Sequence, residues 1–442
     1  MLHGHLIAVA LAAAAPWSEP VSVGSPTLGS TSQAIAFARD GTALLSANAV
    51  TRPGDPFSGR LVSLAPSGAT REAVVGQELA ADPVIDGRGR VALLSLRSLG
   101  ALTRLRISFG SAADPVQANS HVLATYAPAR AELGDRPAIA VSERGEIAVA
   151  WVQFVPRASI HRLRLAVRPP GRAFRRTQTL ATADGVIQDA ALAYDRAGRL
   201  LVAYGAERSS GRRLRRTVEA RLRGSRGEFR RAEVLGPHDG VAQISAAMAP
   251  AGRAVVAWDS QDGGEGAEKP YRVRAAIRAP GSRAFGRTQL LDPGATSDRV
   301  PGRSVLGVAP DGSATVAWSN VVGASTPVRV AAAGPRTRFG PTVQAAPDGA
   351  VGDLAVGGDG SALLLWNVVT EIGVAGGPIQ AALRPPGAPA FGNSETVVAP
   401  GPAQLSLGRA AFDPATGRPA VVWARHAEPG AVPPLWLSSR AP

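Results

Sequence analysis

A glycine turn followed by an apolar run ending in an aromatic recurs along the chain, and this repeat limits the fold more than any other feature. Gly145 leads to Trp151, Gly198 to Tyr204, Gly252 to Trp258, Gly312 to Trp318, Gly360 to Trp366 and Gly417 to Trp423. Gly41 and Gly89 open two weaker copies, with Ala47 and Ser95 in the aromatic slot. Successive glycines are 48 to 60 residues apart, and the fourth residue after each is Val or Leu. A run that is apolar on both faces must be covered on both faces, so the units have to pack against one another.

Each unit resolves into four short strands, A to D. Strand A precedes the glycine, as in Ala138–Val141, and the glycine supplies the positive φ of a tight turn into strand B. Strand C is of the Arg164–Arg168 type and ends at a Pro-Gly turn such as Pro169-Pro170-Gly171. Strand D is expected to open on an aromatic: Phe174, Phe229, Phe285, Phe339 or Phe391. Small residues recur in strand A (Ala36, Ala140, Ala193, Ala247, Gly307, Ala355, Ala411), as the crowded innermost strand of a ring requires. The expected architecture is an all-β propeller of eight blades. Seven is the alternative, because the outer strands of the second unit, near residues 103–125, are weakly marked.

The ends of the chain carry the closure argument. Leu435–Pro442 aligns with Ile379–Pro386, so the last unit stops after strand C. Trp17–Val23 reads as an orphan strand D, comparable with Phe339–Val343. Head and tail together would complete the last blade and leave no open sheet edge.

Pro310-Asp311-Gly312 followed by Thr315-Val316-Ala317-Trp318 resembles the repeats of TolB-type and WD40-like bacterial propellers. The aromatic stands one place later than in the TolB-type repeat. The sialidase Asp-box is not matched, since Asp311 and Asp359 directly precede glycine. The resemblance implies a fold and leaves the activity open.

Cysteine is absent, which excludes disulfides, thiolate metal sites and a cysteine nucleophile. Residues 1–15 read as a signal peptide or apolar leader, with the run Leu6–Ala15 too short to span a bilayer, and residues 16–442 as one propeller domain. A secreted or cell-envelope location follows. Of 48 basic residues only Lys269 is lysine, a bias that fits a high-GC bacterial genome.

Genome bias does not explain where the charge lies. Residues 157–231 hold 19 Arg against six acids, +13 of the chain's +14. Arg162, Arg164, Arg168, Arg212, Arg213, Arg215, Arg216, Arg221 and Arg223 are the candidate contacts for an anionic polymer or envelope component on one sector of the rim. Arg212 to Arg216 are expected in a B–C connection. The loop 259–268 is rich in acids and glycine, and Asp259, Asp262 and Glu265 are the candidate ligands for Ca²⁺. Otherwise no cofactor is expected.

No paired-histidine metal spacing, nucleophile elbow or phosphate loop occurs. The expected function is therefore non-enzymatic binding or scaffolding outside the cell. The alternative is a glycan-acting hydrolase or lyase on the B–C loop face. There the residues after the aromatic slot (Gln153, Glu207, Asp259, Asn320, Asn367, His426) would supply polar groups. Few aromatics are left over from the repeat to form a sugar platform: Phe57, Phe109, Phe154, Tyr126 and Tyr271.

Overall fold

The computed structural model describes residues 17–23, 29–50, 58–75, 78–115, 119–127, 132–133, 136–210, 213–224, 227–238, 243–261, 269–292, 296–297, 304–319, 325–371, 374–399, 404–426 and 435–440. These residues form eight antiparallel sheets, each carrying strands A, B, C and D in that order. Neighbouring A strands touch in sequence around the ring, and strand A of blade 8 touches strand A of blade 1. The second unit is a full blade, with strand C at Leu102–Ser111 and strand D at Asn119–Tyr126. Eight blades, not seven, close the ring.

No single core exists. The buried side chains fall into eight apolar wedges, one between each pair of neighbouring blades. Strand B feeds two wedges at once, because alternate residues point to opposite faces. In blade 5, Ala254, Val256 and Trp258 pack toward blade 4, while Val255 and Ala257 pack toward blade 6. The aromatic slot is enclosed: Trp258, Trp318 and Trp423 are fully buried, and Trp151 and Trp366 are 2% exposed. A Cβ on Gly307 would come within 2.5 Å of Val356 in the next A strand, so the small residues there set how closely blades approach.

All eight turn glycines have positive φ, between 70° and 94°. The turn closes the same way in seven blades; in blade 6, Gly312 N donates to Ala309 O at 2.9 Å and Ala309 N to Ser313 O at 2.8 Å, while the turn of blade 8 is one residue longer, Gly417 N donating to Asp413 O at 2.8 Å.

Blade 8 is built from both ends of the chain. Its strand D is Val21–Val23, paired antiparallel with Leu435–Leu437 of strand C. Ahead of the ladder, Trp17 bridges Arg440 and Ser18 N donates to Ser439 O at 2.8 Å.

The aromatics do not open strand D as expected. Phe174, Phe229, Phe285, Phe339 and Phe391 each stand four residues before a ladder that begins at Gln178, Glu233, Gln289, Val343 or Glu395. The residue after the aromatic donates to a strand C carbonyl, as Gly340 N does to Ala332 O at 2.9 Å. Trp17 stands four residues before Val21 and makes the same arrangement. The aromatic ring drops into the wedge against the preceding blade, and the chain detours around it before pairing resumes.

Candidate functional site

In a blade of this order, A–B turns and C–D loops lie on one face of the ring, and B–C and D–A connections on the other. Most of the B–C and D–A connections lie outside the described residues. Two adjoining concavities lie on the A–B/C–D face, between blades 2 and 3.

The outer cleft, about 360 Å³, is lined by Phe109, Asn119, Ser120, His121, Arg168, Gly171, Arg172, Ala173 and Phe174. Blade 2 supplies Phe109 from the end of strand C and Asn119 to His121 from the start of strand D. Blade 3 supplies Arg168 from the end of strand C and Gly171 to Phe174 from the C–D loop. His121 stacks on Phe174 with ring centroids 5.4 Å apart, and Phe109 lies 6.5 Å from Phe174. The Arg168 guanidinium sits 4.1 Å over Phe109, a cation–π contact, and its Nε donates to Arg172 O at 2.9 Å. Burial and the nearby Arg90 charge lower the Arg168 pKa.

The inner cavity, about 120 Å³, shares Phe109 and Arg168 with the cleft and adds Asp86, Arg90 and Gly145 to its walls. Asp86 Oδ2 accepts from Arg90 Nε at 2.7 Å.

The nine arginines singled out in the sequence are distributed unevenly. Arg162, Arg164 and Arg168 lie on strand C of blade 3 (Ile160–Arg168), and Leu163 and Leu165 between them are buried. Only Arg168 lines the cleft. Arg164 bonds to Thr179 and interacts with Tyr126 of the preceding blade. Arg213, Arg215, Arg216, Arg221 and Arg223 all lie on strand C of blade 4 (Arg213–Arg223). The expected B–C connection is therefore corrected. Strands B and C stay paired out to Ser210 and Arg213, so Arg215 and Arg216 are ladder residues opposite Arg208 and Glu207. Arg212 lies outside the described residues.

Several of these charges are already neutralised. Arg216 pairs with Glu207 at 2.9 Å, and Arg223, buried at 5% exposure, pairs with Glu146 of blade 3. Across-strand neighbours and adjacent blades supply carboxylates that composition alone places nowhere in particular.

One group of exposed arginines follows the C–D loops: Arg172, Arg175 and Arg176 in blade 3, Arg230 and Arg231 in blade 4, Arg283 and Arg287 in blade 5, and Arg336 and Arg338 in blade 6. This arc runs from the cleft over four consecutive blades and extends beyond the 157–231 segment. The signal was present in the sequence as Arg flanking the recurrent Phe, but it needed the C–D face to become one surface.

The polar residues after the aromatic slot also need correction. Gln153, Glu207, Asp259, Asn367 and His426 belong to strand B, which runs past the slot. Asn320 lies outside the described residues. Where a polar side chain directly follows the slot, it latches the next blade. Asn48 accepts from Leu79 N at 2.6 Å and donates to Leu79 O at 2.9 Å. Ser319 Oγ accepts from Val351 N at 3.1 Å, and Asn367 Nδ2 donates to Ser406 O at 3.2 Å. Asp259 accepts from Gln243 N at 3.1 Å on Oδ1, and from Ser304 N at 3.1 Å and Ser304 Oγ at 2.8 Å on Oδ2.

Both Asp259 oxygens are thus engaged, at 3% exposure. Asp262 and Glu265 lie outside the described residues. Among the described residues no group of three or more His, Cys, Asp or Glu is placed to hold a metal ion. The calcium expectation now rests on Asp262 and Glu265. Calcium held there should raise the melting temperature, and Glu265→Ala should remove the rise. An unchanged melting temperature on adding EDTA to the untreated protein, with no heat of calcium binding, would discard it.

No protein-family model matches the chain, and no curated protein matches it either. Solved structures do. The polysaccharide lyase Uly1 superposes with a TM-score of 0.50 at 10% identity, covering 95% of this chain and 99% of that one. The β-propeller domain of the Trilobed protease from Pyrococcus furiosus, described as having an open velcro topology, gives a TM-score of 0.46 at 9% identity, over 84% and 97%. The Penicillium chrysogenum α-L-arabinanase gives 0.41 at 11% identity, over 74% and 98%. At these identities the likeness is one of fold.

Proposed function

We propose that this propeller recognises an acidic polysaccharide, seated in the blade 2–3 cleft and running along the arginine arc of the C–D loops. The observation that carries the reading is the stacked pair of His121 and Phe174 beside Arg168 and Arg172, at one end of that arc. Aromatic faces suit the apolar faces of sugar rings, and guanidinium groups pair with carboxylate or sulfate. Export through the leader at residues 1–15, which lie outside the described residues, and a place in the cell envelope belong to the same reading. So does the finer kinship with TolB-type propellers.

A second reading, turnover of the glycan, has its own support. The outer cleft is lined by no carboxylate, so it lacks the paired acids of a glycoside hydrolase. It does hold an exposed histidine beside two arginines, which suits elimination, and a polysaccharide lyase shares the fold. In that chemistry His121 takes the proton next to a uronate carboxylate. The carboxylate is held by Arg168 and Arg172, and the leaving oxygen departs with its bonding pair as the ring double bond forms.

Retention on immobilised heparin and polygalacturonate at low salt tests both readings. Wild type should be retained and released by salt, as expected for binding that displaces counterions. Arg172→Gln/Arg175→Gln/Arg176→Gln and Phe174→Ala should elute at clearly lower salt. Arg213→Gln/Arg215→Gln/Arg216→Gln, at the opposite end of strand C, should elute close to wild type. Loss of retention confined to that last variant would move the site to the other face, and no retention of wild type would overturn recognition. Ultraviolet absorbance from unsaturated products, lost in His121→Ala, would establish turnover.

A further inference from the structure

The eightfold repeat supplies internal controls for one position. At several junctions a residue at the start of strand B faces the end of strand C in the following blade. Between blades 3 and 4 the pair is Glu146 and Arg223, an ion pair joined by Tyr194 Oη donating to Glu146 at 3.0 Å. Between blades 5 and 6, Ala333 ends strand C, and Arg253 donates to Gly334 O at 2.8 Å and Thr337 O at 2.6 Å. Between blades 6 and 7, Arg384 donates to Thr315 Oγ1 at 2.7 Å.

Two junctions bring arginine to arginine. Between blades 4 and 5, Arg199 pairs with Asp195 at 2.5 Å, while Arg278 is sealed at 2% exposure and donates to Ser282 O. Between blades 2 and 3, Arg90 pairs with Asp86 at 2.6 Å and faces Arg168. This second junction contains a cavity, which adjoins the outer cleft through shared Arg168 and Phe109. The terminal nitrogens of Arg168 have no hydrogen-bond partner among the described residues. Two arginines against one aspartate leave the cavity wall one positive charge in excess.

We infer that the inner cavity between Arg90 and Arg168 is an oxyanion site, which takes a carboxylate or sulfate group in the place that Glu146 fills one blade further on. The bound group would meet Arg90 and Arg168 from opposite blades, and Phe109 would exclude water from one side. The site deepens the polysaccharide reading by naming the group that enters, and it can be tested without any polymer.

The test follows the melting temperature of the full chain in sodium sulfate and in sodium glucuronate at fixed ionic strength. Sulfate also stabilises proteins generally by exclusion from their surface, without saturating. Wild type should show an added, saturable rise with at least one of the two anions, and the arm that saturates tells ester sulfate from uronate. Asp86→Ser/Arg90→Glu copies Ser142 and Glu146 of the next blade, and should lose the saturable part. Arg168→Gln, which removes the second cation without altering the turn, should lose it too and covers the case where the double variant does not fold. A saturable rise that persists in either folded variant, or none in wild type with either anion, overturns the inference. A polymer that fails to bind wild type beside an intact anion response counts against polysaccharide recognition alone.

Discussion

Deleting the chain through Val23 should lower the melting temperature sharply and promote aggregation, because those residues are strand D of the last blade. Their removal unpairs Leu435–Leu437 and opens a sheet edge. It also strips Val23, 2% exposed, from the wedge between blades 8 and 1, and Trp17 from the wedge between blades 7 and 8. A three-way clamp goes with it. Glu395 of blade 7 accepts from Trp17 Nε1 at 3.1 Å and from Arg440 Nε and Nη2 at 2.9 Å each. Trp17→Ala alone should cost about 2–3 kcal/mol, below the ~3–5 of a fully enclosed aromatic, since Trp17 is only partly buried. A peptide of residues 17–23 added to the truncated chain should restore part of the loss. Identical melting of full-length and truncated chains would show that the closure contributes nothing.

The second large effect is expected at Asp259. Asp259→Ala leaves three donors of a buried inter-blade contact without an acceptor, a loss on the order of 3–5 kcal/mol. The acid also titrates in an unusual range. Burial lifts its pKa from 3.8 to about 6, against the opposing hydrogen bonds from Ser304 and Gln243. The folded state therefore holds the proton more tightly than the unfolded chain does. The stability from this group is full below about pH 4 and is lost as pH rises through about 6, by about 3 kcal/mol in total. Asp259→Asn stays neutral throughout. The stability of this variant relative to wild type should improve from pH 4 to 7.5, as read from denaturant midpoints at each pH. A gap that does not change with pH would mean that Asp259 ionises normally in the fold.

Both effects arise from contacts between blades, and this marks the limit of what the linear pattern could say. Glycine spacing, the two-sided apolar strand B and the aromatic slot express local requirements. A turn needs positive φ, and a strand packed on both faces must be apolar on both. Such requirements leave a mark in every repeat, so blade number, strand order and the use of residues 17–23 as a borrowed strand were legible from residue order alone. The second blade was the exception, because its outer strands near residues 103–125 lack the Pro-Gly turn and the following Phe that mark blades 3, 5 and 7.

The polar residues behaved differently. Asn48, Asp259, Ser319 and Asn367 differ in chemistry and sit one place after the slot, which from sequence resembled the start of a surface loop. Only the packing of one blade on the next makes that place an interior one. Charge pairing was hidden for the same reason. Nineteen arginines within residues 157–231 suggested one rim sector, yet Glu146, Glu207 and Glu219 draw Arg223, Arg216 and Arg208 into ion pairs. Repeat spacing by itself determined the ring, because each blade satisfies its backbone locally and its neighbours by the same rule. Which arginines are drawn into ion pairs, and that Phe109, His121 and Phe174 share one cleft, only the tertiary structure decided. Phe109 and His121 belong to blade 2 and Phe174 to blade 3, and the turn that brings one blade against the next is not written in the pattern of either.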